Sequence, residues 1–212
     1  MLITYFCITL GAYLYGSVPF GFLFARILRG TDIREVGSGN IGATNAARVL
    51  GFRYFPLVFL LDFTKGLLPA LIGLNLAPAH TAYSPSPLAV VGAVAAILGH
   101  VFPIYLKFKG GKAVAAGTGA CVILAPWALA IAAGVWAVLF AIFRYVSLAS
   151  ISAAAALGGS VWFVYDNPAG EGLYRTAFCV LASIAVIILH HENIGRLLRG
   201  EEDKIGASND SG

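Results

Sequence analysis

Residues 113–143 read AVAAGTGACVILAPWALAIAAGVWAVLFAIF, an apolar stretch of 31 residues that contains no charged side chain. One continuous helix over this stretch would be about 46 Å long at 1.5 Å per residue. The hydrocarbon core of a bilayer is only about 30 Å thick. Pro126 lies near the middle and would interrupt a helix there. We therefore predict two membrane spans that meet at Pro126, of which the first, 113–125, is short for a full crossing.

Five more apolar runs flank this stretch, and each approaches or exceeds the roughly 20 residues that a spanning helix needs. They cover 2–28, 54–76, 87–106, 146–165 and 173–189. Glycine, proline, asparagine or charged residues separate each run from the next. The first run lacks the basic n-region of a signal peptide, so we expect it to remain as a span. The sequence thus predicts an all-α, polytopic membrane protein with seven transmembrane helices.

The composition of the whole chain agrees with a membrane protein. Of its 212 residues, 59% are hydrophobic and 11% are charged, and the mean hydropathy is +0.84. Soluble domains carry about 25% charged residues, so an ordinary globular enzyme, a disordered protein and a nucleic-acid-binding domain are all excluded. The three cysteines lie far apart within apolar runs, without the spacing of a disulfide framework or a zinc site. No metal site is predicted.

The distribution of basic residues predicts the orientation in the membrane. With a break at Pro126, twelve of the 14 lysines and arginines fall on one side, whereas an unbroken helix would leave nine against four. Because basic loops stay in the cytoplasm, we predict an outer N-terminus and a cytoplasmic C-terminus. We expect one membrane domain over 1–200 and a polar, flexible tail over 201–212. This orientation places the polar, glycine-rich segments together on the cytoplasmic side, where we predict the active site. These segments are 30–53, 107–112, 144–150 and 190–196.

The longest of these segments contains GSGNIGATNAAR at 37–48. Its glycines allow close backbone approach to a ligand, and its backbone N–H groups and a helix N-terminus suit an anion. Arg48 adds a forked charge that fits phosphate oxygens. The alternative is a polar linker between two spans. The candidate binding residues here are Ser38, Gly39, Asn40, Thr44 and Asn45.

A second segment places Gly110 and Gly111 directly before Lys112 and a helical run. The helix dipole and the ammonium group can converge there on one anion, although the lysines of this segment can equally serve as cytoplasmic anchors of a span. His100 lies inside the preceding span, where a polar side chain is costly without a partner. A packed, hydrogen-bonded histidine and a catalytic histidine both remain open.

The remaining polar residues lie at the ends of later spans. Ser147 and Ser150 share one helix face, although serines in membrane helices often bond only to their own backbone. His190, Asn193 and Arg196 follow one another at intervals of three residues at the end of the last span. In the second span, Asp62 and Lys65 at i and i+3 are predicted to form an ion pair, with a role in the site as the second choice.

The chain lacks the motifs of nucleophilic and metal-dependent hydrolases, such as GxSxG and HExxH, and has no obvious carboxylate pair. Groups that bind anions are abundant instead. Such a site suits a reaction between two phosphate-bearing substrates, in which the protein binds, orients and neutralises charge. A membrane transporter of a phosphorylated small molecule would use similar groups. It would be expected to show internal repeats and a site near the bilayer midplane, and the sequence indicates neither.

Several strings, in this order, resemble the bacterial acyl-phosphate–glycerol-3-phosphate acyltransferases over about residues 13–200. They are GSVPFG at 16–21, GSGNIGATN at 37–45, LDFTKG at 61–66, FKGGK at 108–112, RYVSLAS at 144–150 and ENI at 192–194. The resemblance implies seven spans in the bacterial plasma membrane and no cofactor. It implies transfer of a fatty acyl group from acyl phosphate to the sn-1 hydroxyl of glycerol 3-phosphate. The products would be 1-acyl-sn-glycerol 3-phosphate (lysophosphatidic acid) and phosphate, in the first step of bacterial phospholipid synthesis. A soluble phosphate acyltransferase that makes acyl phosphate would be a pathway partner.

Within this resemblance, Lys112 and Arg48 are expected to hold phosphate and neutralise the leaving group, together with the loop 38–45. Ser147, His190, Asn193 and Arg196 are expected to hold glycerol 3-phosphate. Catalytic roles are expected for Lys112, Arg48, His190 and Ser147, and binding roles for Ser38, Gly39, Asn40, Thr44, Asn45, His100, Gly110, Gly111, Ser150, Asn193 and Arg196. The general base stays open between His190, His100 and the phosphate of the donor.

Two positions depart from the pattern that this family usually shows. Ala113 replaces the last glycine of Gly-Gly-Lys-Gly, and His191 replaces the arginine of His-Arg-Glu-Asn. An alanine is expected to fit a helix start there, unless the backbone needs a positive φ. The missing arginine puts a role of position 191 in phosphate binding in doubt.

Overall fold

The structure is a computed structural model, and it describes residues 1–77, 86–170 and 172–205. These residues form ten α-helices and two short 3₁₀ turns, at Ile33–Glu35 and Ile104–Leu106. The helices are α1 Leu2–Gly16, α2 Phe20–Arg29, α3 Ala43–Leu50, α4 Tyr54–Leu76, α5 Pro87–Val101, α6 Val114–Leu124, α7 Pro126–Phe143, α8 Val146–Val164, α9 Leu173–Leu189 and α10 His191–Arg199. The predicted all-helical fold is confirmed for the described residues.

Five segments of the described chain are long and apolar enough to cross a membrane. They are Leu2–Arg29, Tyr54–Leu76, Pro87–Leu106, Pro126–Phe143 and Val146–Val164. A sixth arises if α9 and α10, which meet at an angle of 54°, are taken as one bent span. Helix α6 has 11 residues and reaches only about 16 Å, so length and composition alone do not make it a span. The count of seven spans therefore stays a prediction.

The predicted break at Pro126 is confirmed. Ala125 has φ −150° and ψ 58°, which ends α6, and Pro126 opens α7 at a helix position that needs no N–H donor. The first apolar run, which was predicted to be one span, is one candidate span in the structure, Leu2–Arg29, although it consists of two helices. The helix is interrupted at Ser17–Pro19, between α1 and α2, because proline cannot supply the N–H that would continue it.

Helix α6 packs closely against α4 through glycines. A Cβ atom added at Gly66 would collide with the backbone oxygen of Ala116, and one added at Gly119 would collide with the backbone oxygen of Phe63. Small residues let membrane helices approach backbone to backbone, and this contact needs them on both helices. Besides α4, helix α6 also contacts α5, α7 and α9.

We expect Gly119→Ala to destabilise the protein by about 1–3 kcal/mol, because the added methyl group must push α6 away from the Phe63 carbonyl of α4. The measurement is thermal unfolding of the purified protein in detergent micelles. Gly134→Ala in α7 is the matched control, since its Cβ would meet nothing within 4 Å. Equal unfolding temperatures for the two variants would mean that the contact between α4 and α6 accommodates the added methyl group.

Candidate functional site

A cavity of about 440 Å³ lies between the helices and has one polar and one apolar part. The polar part is formed by the loop before α3, the residues before α6, the start of α8 and the chain around α10. The apolar part extends between α6, α7, α8 and α9. Eleven of the 15 predicted site residues line the cavity, namely Ser38, Asn40, Thr44, Asn45, Arg48, His100, Lys112, Ser147, Ser150, His190 and Asn193. The other four, Gly39, Gly110, Gly111 and Arg196, are absent from its lining.

Asn45 organises the glycine-rich loop from within. Its side chain is buried, and Nδ2 donates to the backbone oxygens of Ile33 at 3.0 Å, Val36 at 3.0 Å and Asn40 at 2.9 Å. Its Oδ1 accepts from the backbone N–H of Ser38 at 3.0 Å. Both polar atoms of the Asn45 amide are therefore already bonded to the protein. This arrangement supports a role in shaping the loop more than the substrate contact that the sequence suggested.

The shape of this loop also depends on Gly37, and the loop leads into the short helix α3. Gly37 has φ +63°, and a Cβ atom there would collide with Oδ1 of Asn45. Asn40 Oδ1 accepts from the backbone N–H of Gly42 at 2.8 Å, just before α3 begins. Thr44 in the first turn of α3 lines the cavity, as does Arg48 one turn later. The loop therefore brings a helix N-terminus and a guanidinium group to one wall of the cavity.

Lys112, which precedes α6, lines the same cavity. Its Nζ donates to Oδ1 of Asn193. Burial lowers the pKa of Lys112, and the nearby cations of Arg196 and Arg48 lower it further, whereas the carboxylates of Glu192 and Glu202 oppose this change. Several cations and carboxylates therefore interact at the polar end.

Gly110 and Gly111 pack against His100 instead of lining the cavity. The backbone N–H of Gly111 donates to the backbone oxygen of His100 at 3.0 Å. A Cβ atom at Gly111 would collide with the imidazole of His100, and one at Gly110 would collide with the His100 backbone oxygen. The two glycines thus allow the chain to pass over His100 and deliver Lys112 to the cavity.

Ala113 adopts a left-handed backbone with φ +64°, immediately before α6. The prediction of a helix start without strain excepted a backbone with positive φ, and this exception applies at Ala113. We expect Ala113→Gly to raise the free energy of unfolding by about 0.5–1 kcal/mol, because relief of left-handed strain exceeds the extra flexibility of glycine in the unfolded chain. Thermal unfolding in detergent measures this. Ala115→Gly, inside α6, should change stability in the opposite direction, and a loss in both variants would contradict the strain argument.

The predicted ion pair between Asp62 and Lys65 is confirmed. Oδ1 of Asp62 lies 2.6 Å from Nζ of Lys65, and both side chains are almost completely buried. His100 joins this pair, with its Nδ1 3.4 Å from Nζ of Lys65 and 3.7 Å from Oδ1 of Asp62. These contacts support the interpretation of a packed histidine with polar neighbours. His100 also lines the cavity, so its place among the candidate bases stands as a proposal.

The start of α8 contributes two buried serines. Ser150 Oγ accepts from the indole N–H of Trp136 at 3.2 Å. The hydroxyl of Ser147 lies near enough to Glu202 to influence the pKa of that carboxyl, yet it forms no hydrogen bond with any described residue. A buried hydroxyl without a partner is costly, and a ligand in the cavity would supply the missing bond.

His190 lies at the bend between α9 and α10 and lines the cavity. Its Nδ1 is 2.7 Å from the backbone oxygen of Val186. Because a carbonyl oxygen only accepts, Nδ1 carries the hydrogen and Nε2 of the neutral ring is an acceptor. This is the tautomer that a general base requires.

Sequence reasoning missed two carboxylates, Glu202 and Asp203, which both line the cavity. Both belong to the tail that was predicted to be polar and flexible from residue 201, and in the structure residues 202–204 contact Asn193, Arg48 and Tyr145. Residues 206–212 of the predicted tail lie outside the described residues. Arg48 Nη2 lies 3.4 Å from Oδ2 of Asp203. Gly200 caps α10 with φ +72°, and a glycine directly after a helix is the signal that could have predicted a turn of the chain here.

The fold and the cavity define a polytopic membrane protein whose cavity has basic and polar side chains in one part and apolar side chains in the other. The family model for glycerol-3-phosphate acyltransferase matches residues 6–200. The glycerol-3-phosphate acyltransferase of Syntrophotalea carbinolica is 43% identical over 206 residues, which cover 96% of this chain and 99% of that relative. That of Desulforamulus reducens is 42% identical over 205 residues, covering 96% of each.

A solved structure gives the same result. The crystal structure of PlsY (YgiH), an integral membrane glycerol 3-phosphate acyltransferase, in its glycerol 3-phosphate form, superposes with a TM-score of 0.84. The two chains share 38% sequence identity, and the match covers 95% of this chain and 96% of that one. The chain belongs to the glycerol-3-phosphate acyltransferase family, as its sequence motifs predicted.

Proposed function

We propose that this protein transfers a fatty acyl group from acyl phosphate to the sn-1 hydroxyl of glycerol 3-phosphate. The products are 1-acyl-sn-glycerol 3-phosphate and inorganic phosphate. The observation that carries the proposal is the cavity itself, in which the side chains of Arg48 and Lys112 line a polar end continuous with an apolar chamber. Each substrate class has a matching part of the cavity.

The apolar part suits a fatty acyl chain. Cys121 of α6, Leu129 of α7 and Leu157 of α8 line it, together with Phe59 of α4. Burying the methylene groups of an acyl chain there is favourable by about 0.8 kcal/mol for each CH₂. A donor held in this way has its phosphorylated end at the polar part, next to the cations.

The polar part suits the two phosphates of the reaction. Lys112 and Arg48 approach from different elements and would neutralise the negative charge that develops on the departing phosphate. Acyl phosphate is a mixed anhydride, so the acceptor hydroxyl can attack it directly. The hydroxyl oxygen bonds to the acyl carbon, the bond from that carbon to the phosphate oxygen breaks, and no acyl-enzyme forms.

The hydroxyl proton needs an acceptor in this step. Nε2 of His190 supplies a suitable lone pair at the cavity wall, and His100 and the donor phosphate are the other two candidates. Ser147, with its buried and unpaired hydroxyl in the described part of the chain, would bind a phosphate or glycerol oxygen. His190 and Ser147 are among the residues that, by the family resemblance, are expected to hold glycerol 3-phosphate.

We place the site at the cytoplasmic side of the bacterial plasma membrane, with seven spans, an outer N-terminus and a cytoplasmic C-terminus. This topology counts α6 as a short span and rests on the asymmetry of basic residues. A cytoplasmic opening would give direct access to glycerol 3-phosphate and to the acyl phosphate supplied by a soluble phosphate acyltransferase.

Phosphate release tests this function directly. Purified protein receives palmitoyl phosphate and glycerol 3-phosphate, with palmitoyl-CoA as the parallel donor. Release that requires both acyl phosphate and acceptor, with formation of lysophosphatidic acid, is the expected result. Activity with palmitoyl-CoA alone would overturn the donor assignment. Failure with both donors, combined with counterflow of glycerol 3-phosphate in proteoliposomes, would identify a transporter instead.

A further inference from the structure

Residues 200–205 form a strap across the polar end of the cavity. The strap leaves α10 at Gly200, where the backbone N–H of Glu201 donates to the backbone oxygen of Arg196 at 2.8 Å. At its far end, the backbone N–H of Ile205 donates to the backbone oxygen of Arg144 at 3.0 Å, and Arg144 Nη2 donates back to the Ile205 oxygen at 3.3 Å. The ammonium group of Lys204 lies 5.3 Å from the ring centre of Tyr145. Contacts at both ends hold the strap in place.

Glu202, in the middle of the strap, bonds to two residues of α10. Its side chain is only 5% exposed. Oε1 accepts from Nδ2 of Asn193 at 2.7 Å, and Oε2 accepts from Nε of Arg196 at 2.7 Å. Burial raises the pKa of Glu202, but the neighbouring side chains of Asn193, Ser147 and Arg196 more than offset this effect and leave the pKa below its usual value. The group is therefore a carboxylate at neutral pH.

The orientation of the Asn193 amide follows from its two neighbours. A carboxylate only accepts hydrogen bonds and an ammonium group only donates them. Nδ2 of Asn193 must therefore face Glu202, and its Oδ1 must face Lys112, as the structure has them. Without Glu202, the amide could turn and present its own donors to the lysine.

We infer that Glu202 is a positioning residue, which fixes Asn193 and, through it, the ammonium group of Lys112 at the phosphate end of the cavity. The inference rests on the proposed function in assigning phosphate to that end. Arg196 does not line the cavity, but its hydrogen bond to Glu202 helps to hold that carboxylate in position. The opposing view makes Glu202 an internal anion that competes with substrate phosphate, and the two views predict kinetic effects of opposite sign.

Steady-state kinetics of Glu202→Ala and Glu202→Gln test the inference, with Glu201→Ala as the matched control. Glu201 is the adjacent acidic residue and forms an exposed pair with Arg199. We expect Glu202→Ala to lower kcat/KM about tenfold, with the loss mainly in kcat, because a charge-assisted contact in the transition state is weakened. Glu202→Gln, which keeps an acceptor for Asn193, should lie between that variant and the wild type. Glu201→Ala should match the wild type.

The double variant with Lys112→Ala separates positioning from general structural support. If Glu202 acts through Lys112, its removal costs little more once the lysine is gone, whereas independent losses multiply. Multiplied losses, a fall in the KM for glycerol 3-phosphate in Glu202→Ala, or rates equal to those of Glu201→Ala would each overturn the inference. If the wild type itself is inactive with acyl phosphate, the proposed function fails. Binding of inorganic phosphate, measured by calorimetry, then tests Glu202 alone, and equal affinity in wild type and Glu202→Ala overturns the inference.

Discussion

Lys112→Ala should lower the rate of acyl transfer by about tenfold to more than a hundredfold. The variant loses at least one charge-assisted hydrogen bond to the departing phosphate, which is worth about 1.5–3 kcal/mol in the transition state. The effect is large because the ammonium group of Lys112 is partly buried at the cavity and hydrogen-bonded to Asn193, so its charge lies where the departing phosphate is proposed to bind. Phosphate release from palmitoyl phosphate in the presence of glycerol 3-phosphate is the measurement.

Lys109→Ala is the matched control for this experiment. Lys109 lies three residues before Lys112 in the same segment, is exposed and does not line the cavity. Its removal should leave turnover close to that of the wild type. Near-normal turnover in Lys112→Ala, in protein shown to be folded, would remove Lys112 from the site. Equal losses in both variants would point to a general effect of basic charge in this segment.

Lys65→Met should be the most destabilising of these substitutions, with a loss of about 3–5 kcal/mol in the free energy of unfolding. The side chain of Lys65 is 1% exposed, and its removal leaves the Asp62 carboxylate buried without its cation. His100 lies within 3.7 Å of Asp62, so the disturbance also reaches the packing under Gly111. Thermal unfolding in detergent, together with the yield of monodisperse protein, measures the effect.

The double variant Asp62→Leu with Lys65→Met shows whether an unpaired charge is the cause. Replacing both members of a buried ion pair by apolar residues is often neutral or stabilising, so the double variant should unfold at a higher temperature than Lys65→Met. Lys107→Met, on the exposed loop after α5, controls for the substitution itself. A double variant less stable than the single one would show that the polar groups are needed individually.

The sequence predicted those features that follow from local chemistry. Long apolar runs gave the bounds of α4 at 54–76 and α9 at 173–189 correctly, and Pro126 divided the longest run. An unpaired charge inside a membrane span is energetically unfavourable, and this rule predicted the ion pair between Asp62 and Lys65. Glycine-rich strings with single cations identified Arg48 and Lys112, which indeed line one cavity.

Features that depend on contacts between distant parts of the chain could not be predicted in this way. Glu202 lies in a short acidic stretch that reads as solvated, and only the turn at Gly200 brings it back to Asn193. Asn45 looks like a ligand-binding amide in the sequence, because nothing there shows that three backbone oxygens use its donors. The strained φ of Ala113 likewise follows from how 107–113 crosses His100, which is a tertiary constraint.

The strap at 200–205 bears on how the protein is shortened or tagged for laboratory work. A protein engineer who trims the chain where its last helix ends would cut near Gly200 and keep all ten described helices. Such a truncation would nevertheless remove Glu202 and Asp203, which form part of the cavity wall. A purification tag fused directly after Arg199 would displace the same residues. The residues that form the cavity wall therefore extend beyond the last helix, and a fusion partner should leave residues 200–205 in place.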